Sequence, residues 1–240
     1  MADLTFLTAD STLGLMDAKA EACHKRRVST SLHMSQIGEE CSRKLWLSLY
    51  SGFTQKTDAR MIRLFQMGDI IERRVLADLK LAGVKITGRR RVFSDFNNRF
   101  RGRPDGIIEG IKESSKVHAL EIKSCNDKSF KLFLKHGVKD HPSVGDKYYA
   151  QVQMMMHYSG LDRALVIVEN KDNSERYQER IKFDKGRFDM LREKARLIIE
   201  AKEPPRGISD NPAWWSCKFC PLNDENWCRR EWRKESNVPF

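Results

Sequence analysis

No stretch of this 240-residue chain approaches the ~20 consecutive apolar residues that a membrane-spanning helix needs, and its first residues, Met1-Ala2-Asp3-Leu4-Thr5, form neither a basic nor an apolar leader. A soluble, intracellular protein is expected. Internal repeats, low-complexity runs and helicase motifs are absent. Acidic residues are in short supply, 33 against 44 Lys plus Arg, for a net charge of +11 and a pI near 9.4. A polyanion is therefore the natural partner, and nucleic acid is the usual one. Cysteines number six. In a reducing compartment they argue against a disulfide framework and for metal ligation or buried thiols. The hydrophobic share, 40%, is enough to build a core.

The pattern predicts an α/β chain. Residues 11–27 read as a helix capped by Asp10, with Leu13, Met16, Ala20 and Cys23 on its apolar side. A second helix opens at Ser35 and runs through Leu47 towards Gly52. A long third, about 58–81, carries Ile62, Phe65, Ile71, Val75 and Leu79 at burial spacing. Within it Gly68 and Glu72 lie one turn apart, so a carboxylate can reach the space that the glycine leaves open. Strands are expected at 84–87, 91–96, 163–170 and 175–183, and helices at 127–136, 148–158 and 184–201.

The stretch 99–123 organises the rest. An arginine-rich approach (Arg99, Arg101, Arg103) leads into Pro104-Asp105-Gly106 and an apolar pair. After a polar turn, Val117 to Ser124 alternates as a half-buried strand. Period two puts Glu121 and Lys123 on one face, with Leu120 and Ile122 on the other. Two carboxylates brought together repel unless a cation lies between them, and magnesium prefers oxygen ligands. A lysine beside them can hold an attacking water or balance charge on a phosphate oxygen.

Near the end of the chain, Cys217-x-x-Cys220-Pro221 is followed by Cys228 after seven intervening residues. Three cysteines so spaced look like metal ligands, with Cys41 as the best fourth. A cluster and a zinc knuckle both fit the spacing. Trp214 and Trp215 are expected to pack around the group.

Pro-Asp, fifteen intervening residues, then Glu-x-Lys is the signature of the PD-(D/E)XK nuclease superfamily. The order Cys41, Gly68-x-x-x-Glu72, Pro104-Asp105, Glu121-x-Lys123, a glutamine helix (Gln151, Gln153) and a cysteine triplet resembles the iron–sulfur RecB-like nucleases. These include the exonucleases of CRISPR adaptation and the AddB nuclease domain. Gln151-Val152-Gln153 resembles the lambda-type exonucleases more.

The resemblance implies a restriction-endonuclease-like core, a central mixed sheet flanked by helices, with a Cys-ligated [4Fe–4S] cluster or zinc ion joining the N- and C-terminal segments. The whole of 1–240 would be one nuclease domain: a helical part at 35–83, the core at 84–201 and a Cys-rich closure at 204–240. It further implies a DNA exonuclease of little sequence specificity, using Mg2+ or Mn2+ held by Asp105, Glu121, Glu72 and the Ile122 carbonyl. Lys123 and Gln151 (or Gln153) would assist, and Arg101, Arg103 and Lys128 would contact phosphates. A stand-alone enzyme of this size suits phage or mobile-element DNA recombination, in the cytoplasm of a bacterium or a phage-infected host cell. Its partners would be DNA and a recombination or helicase protein. A non-catalytic nucleic-acid-binding module with a zinc-stabilised tail and a restriction-type endonuclease are the alternatives.

Overall fold

The computed structural model describes residues 11–24, 28–53, 57–89, 91–224 and 226–229. Two sheets organise it. The larger has the order β2-β5-β6-β7-β8, formed by Lys85–Thr87, Gly106–Glu109, His118–Cys125, Arg163–Asn170 and Arg176–Lys182. β6 and β7 run parallel and every other pair is antiparallel. The parallel pair needs a crossover, which α4 (Asp127–His136) and α5 (Gly145–Ser159) supply. The smaller sheet sets β4 (Phe100–Gly102) between β1 (Leu32–His33), parallel to it, and β3 (Phe93–Asp95), antiparallel.

α3 (Ala59–Leu81) covers one face of the large sheet, where Ile71, Val75 and Leu76 meet Ile108, Leu120, Ile122 and Leu165. On the other face α4, α5 and α6 (Lys185–Glu200) build the main core with α2 (Ser42–Tyr50) and the small sheet. β6 is thus buried on both faces at its centre, where alternation predicted a strand with one wet face. α5, held between the large sheet and the elements around it, is buried continuously from Tyr149 to Met156. A helix apolar all round needs such a place.

Local chemistry sets the helix starts. Asp58 caps α3 by accepting the Met61 N–H at 2.7 Å, and Asn126 and Asp184 cap α4 and α6 in the same way. The first helix, α1 (Thr12–Cys23), is capped by Ser11 rather than Asp10, which lies outside the described residues, as do 25–27. It buries none of its residues; Leu13, Met16 and Cys23 are exposed. The second helix does not start at Ser35. A 3-10 turn, Met34–Gln36, precedes α2, and between them Gly38 passes so close to α5 that a Cβ there would lie 2.4 Å from the Asp146 carbonyl oxygen. Phe65, expected in the core, is 54% exposed. No described helix is long and apolar enough to cross a membrane.

Candidate active site

Asp105 lies where β5 parts from β6. Its N–H donates to the Leu120 carbonyl at 3.1 Å, and its Oδ2 accepts the Ile122 N–H at 2.7 Å. The carboxyl group is thereby held beside Glu121. Glu121 is 2% exposed: its Oε1 accepts from Lys123 Nζ at 2.5 Å and from Gln151 Nε2 at 2.6 Å, while its Oε2 is buried with no hydrogen-bond partner. Lys123 Nζ donates to Gln151 Oε1 at 3.0 Å, closing a three-membered ring of contacts.

The electrostatics follow from burial. Asp105 is pushed up to about 8, first by desolvation, then by the Glu121 charge and, more weakly, by Glu72. Burial alone would drive Lys123 towards neutrality, but Glu121, joined by Asp105 and Tyr148, holds the ammonium above the ordinary lysine value. The ammonium also lies 4.9 Å from the ring centroid of Tyr148, which stacks on Phe133. Burial raises the Tyr148 hydroxyl.

An unpartnered buried carboxylate oxygen next to an acid that resists ionisation is a donor pair whose chemistry would suit a hard divalent ion. Among the described residues, no three acidic, histidine or cysteine side chains are yet arranged to hold a metal. Asp105 Oδ2 is engaged by the Ile122 N–H, and Glu121 Oε1 by Lys123 and Gln151. Glu72, on α3, is close enough to weigh on Asp105, and it faces Arg89 at 3.7 Å. Nothing lies within 4 Å of where a Gly68 Cβ would be, so the helix surface one turn before Glu72 is open.

The two glutamines of α5 part company. Gln151 enters the site, whereas Gln153 donates to the Lys182 carbonyl at 3.1 Å and accepts the Asp184 N–H at 2.8 Å, joining β8 to α6. Arg101 and Arg103 line a groove of about 390 Å³ with His33, Ser35 and Gln151. Lys128 is exposed on the first turn of α4. Tyr148 was not singled out by the sequence; its spacing three residues before Gln151 on one helix was the available signal.

Away from this site, Cys41, Cys217, Cys220 and Cys228 line one small cavity of about 30 Å³. Cys41 caps α2, accepting the Lys44 N–H at 3.4 Å, and Arg43 reaches the Pro205 and Cys228 carbonyls at 2.7 and 3.1 Å. The Cys217 thiol is pushed up by burial and by the other three cysteines. Four soft donors from two distant segments suit a thiolate-bound metal, although three of them do not already surround a common point. Cys125 stands apart, near Ser129. Trp214 and Trp215, expected to pack around the group, are 48% and 65% exposed.

No family model and no curated protein matches the sequence. Solved structures do. The alkaline exonuclease LHK-Exo from Laribacter hongkongensis matches with a TM-score of 0.53 at 18% identity, over 76% of this chain and 90% of that one. LHK-Exo in complex with dAMP matches with a TM-score of 0.53 at 17% identity, over 70% and 86%. The fold of this chain is thus similar to that of an alkaline exonuclease. That likeness supports a nuclease fold and does not extend to the iron–sulfur RecB-like type that the cysteines suggested.

Proposed function

We propose that this chain is a metal-dependent deoxyribonuclease that hydrolyses DNA from an end with little sequence preference. The observation that carries the reading is Glu121, buried with Oε2 unpartnered, beside an Asp105 whose carboxyl group is pushed up to about 8. Such a pair is costly in any protein that does not use it, because burial of an unpaired charged group is unfavourable unless a ligand offsets it. The exonuclease fold supports the same reading, and LHK-Exo in complex with dAMP suggests a deoxynucleoside monophosphate as the product class.

Asp105, Glu121, the Ile122 carbonyl and Glu72 would hold Mg2+ or Mn2+. A divalent ion there would lower the pKa of an attacking water and offset charge on the phosphate. Lys123, kept cationic by Glu121, offers a donor to the water or to the phosphate oxygen that gains charge. Gln151 bonds both Lys123 and Glu121 and fixes their separation. Arg101 and Arg103 in the groove and Lys128 on α4 contact phosphates, a salt-sensitive attraction without sequence information. The four cysteines bind a [4Fe–4S] cluster or a zinc ion that ties the C-terminal segment to α2, leaving the chemistry to the carboxylate site.

The test is digestion of end-labelled linear DNA against closed circles of the same sequence, with Mg2+ or Mn2+, for the wild type and for Asp105→Ala, Glu121→Ala and Lys123→Ala. Loss of at least about a hundredfold in rate is expected in each, roughly 2.7 kcal/mol of barrier, with DNA binding in EDTA retained. Activity within about tenfold of wild type in any of them removes the assigned role. Cutting of closed circles at one defined sequence would instead favour the restriction-type alternative.

A further inference from the structure

Beyond the groove lined by Arg101, Arg103 and Gln151 lies a cavity of about 610 Å³ that the proposed chemistry leaves unused, bordered by Trp46, Tyr50, Phe96, Asn97, Arg99 and Lys202 among others. Its size falls within the roughly 300–1,000 Å³ of small-ligand pockets. One wall is a guanidinium seated on a ring: Arg99 lies 4.8 Å from the Tyr50 centroid and donates to the Ile199 carbonyl at 3.4 Å. Tyr50 and Trp46 are themselves fixed by bonds from their polar atoms to the Ile199 and Ala201 carbonyls.

Another wall is under strain. Phe96, Asn97 and Asn98 all adopt left-handed backbone, with φ of 49°, 53° and 65°, and a phenylalanine in that region is unusual. The surroundings hold it there. Asp95 accepts the Phe96 N–H at 2.7 Å, Tyr158 and Arg192 anchor Asp95, and the Arg192 guanidinium lies 4.9 Å from the Phe96 centroid. Asn97 is exposed beside this wall, with an amide that both donates and accepts.

β4 runs between this cavity and the groove that Gln151 lines. The Arg99 carbonyl accepts the Leu32 N–H at 2.7 Å, so the residue already belongs to the β1–β4 ladder. Phe100 is fully buried, and a Cβ on Gly102 would run into Met34 and Met155, so both positions face inward. Arg99, Arg101 and Arg103 therefore alternate to the outer side at about 6.6 Å per pair of residues. This is the length scale of one nucleotide step in an extended strand. The first arginine borders the aromatic cavity, and the other two border the groove that contains Gln151.

We infer that the cavity takes an unpaired base of single-stranded DNA, whose backbone continues along the three arginines to the carboxylates. A guanidinium plane and aromatic rings are the surfaces on which unpaired bases stack, Arg99 and Lys202 supply charge for the flanking phosphates, and Asn97 offers an amide to the base edge. The inference rests on the reading of DNA as substrate and adds to it a base-holding site remote from the metal.

The experiment measures binding without cleavage. A fluorescent single-stranded dodecamer and the same backbone with abasic sites throughout are titrated with the full chain in EDTA, by anisotropy, at two salt concentrations. Wild type should bind the base-bearing strand at least about tenfold more tightly. Arg99→Lys keeps the charge but not the plane, and should lose most of that preference while its salt dependence persists. Tyr50→Leu, checked for folding by circular dichroism, should do the same. Equal binding of the two strands by wild type, or a preference that survives in Arg99→Lys, overturns the inference. Because no cleavage is needed, a protein that prefers bases but never cuts DNA with Mg2+ or Mn2+ sinks the nuclease reading alone. Normal cutting with no base preference sinks this one alone.

Discussion

Gln151 Nε2 donates to Glu121 Oε1 at 2.6 Å across the space between α5 and β6, while Gln153, two residues on, is committed to the Lys182 carbonyl and the Asp184 N–H. Two glutamines on one helix thus have opposite consequences. Gln151→Leu should lower kcat by about tenfold to a hundredfold with little change in melting temperature, since it frees Lys123 and Glu121 from their common clamp. Gln153→Leu leaves the Asp184 N–H and Lys182 carbonyl without their partner, and should cost about 1–3 kcal/mol of stability with kcat per folded molecule intact. Side-by-side thermal melts and single-turnover rates check this. The reverse pattern would put Gln153 in the site.

Asp105 gives stability a pH dependence of defined sign. Its folded value, about 8, is above the ordinary 3.8, so the folded state binds the proton more tightly than the unfolded chain. Its contribution is fully present below about 4 and is lost as pH rises through about 8. Without divalent ions, the melting temperature of wild type relative to Asp105→Asn should therefore fall between pH 4 and 8. Mg2+ should flatten the decline by stabilising the ionised carboxylate. Parallel curves for the two proteins across that range would dismiss the buried acid.

Tyr148 meets Lys123 through its ring, whose centroid lies 4.9 Å from the ammonium. Tyr148→Phe should therefore keep kcat within about twofold, whereas Tyr148→Leu should lose roughly tenfold with KM little changed, in the range that a partly desolvated cation–π contact can supply. A Phe variant as impaired as the Leu variant would transfer the role to the hydroxyl.

Metal content decides the cysteine cavity. Anaerobically prepared protein should carry iron and sulfide, or else stoichiometric zinc. Cys41→Ser or Cys228→Ser should lose that metal and melt at lower temperature, because the bound group links segments far apart in the chain. Cys125→Ser should change neither quantity. Wild-type protein free of both metals would leave four thiols that only pack.

Much of this was legible from local pattern. The alternation of Leu120, Glu121, Ile122 and Lys123 assigned faces correctly, and Asp58 and Asp184 marked the helix starts as capping chemistry requires. What escaped was tertiary. β6 looked half-wet because nothing local reveals that α5 comes over its Glu121 face, where Gln151 meets Glu121 and Lys123. The apolar side of α1 looked like core, yet Leu13 and Met16 remain exposed. The break before α2 depends on Gly38 meeting Asp146, more than a hundred residues away in sequence, and periodicity is blind to such a meeting. Gln151 and Gln153 could not be separated because their difference lies in partners on β6, β8 and α6.

The bond from Arg43 to the Cys228 carbonyl spans 185 positions of chain. A ribosome adding roughly 5–20 residues per second needs at least about 9 s to travel that distance, so α2 is made long before the group that fastens it exists. The segment around Cys228 is then synthesised after the whole carboxylate site. A chain released before Cys228 would carry Asp105, Glu121, Lys123 and Gln151 without that closure.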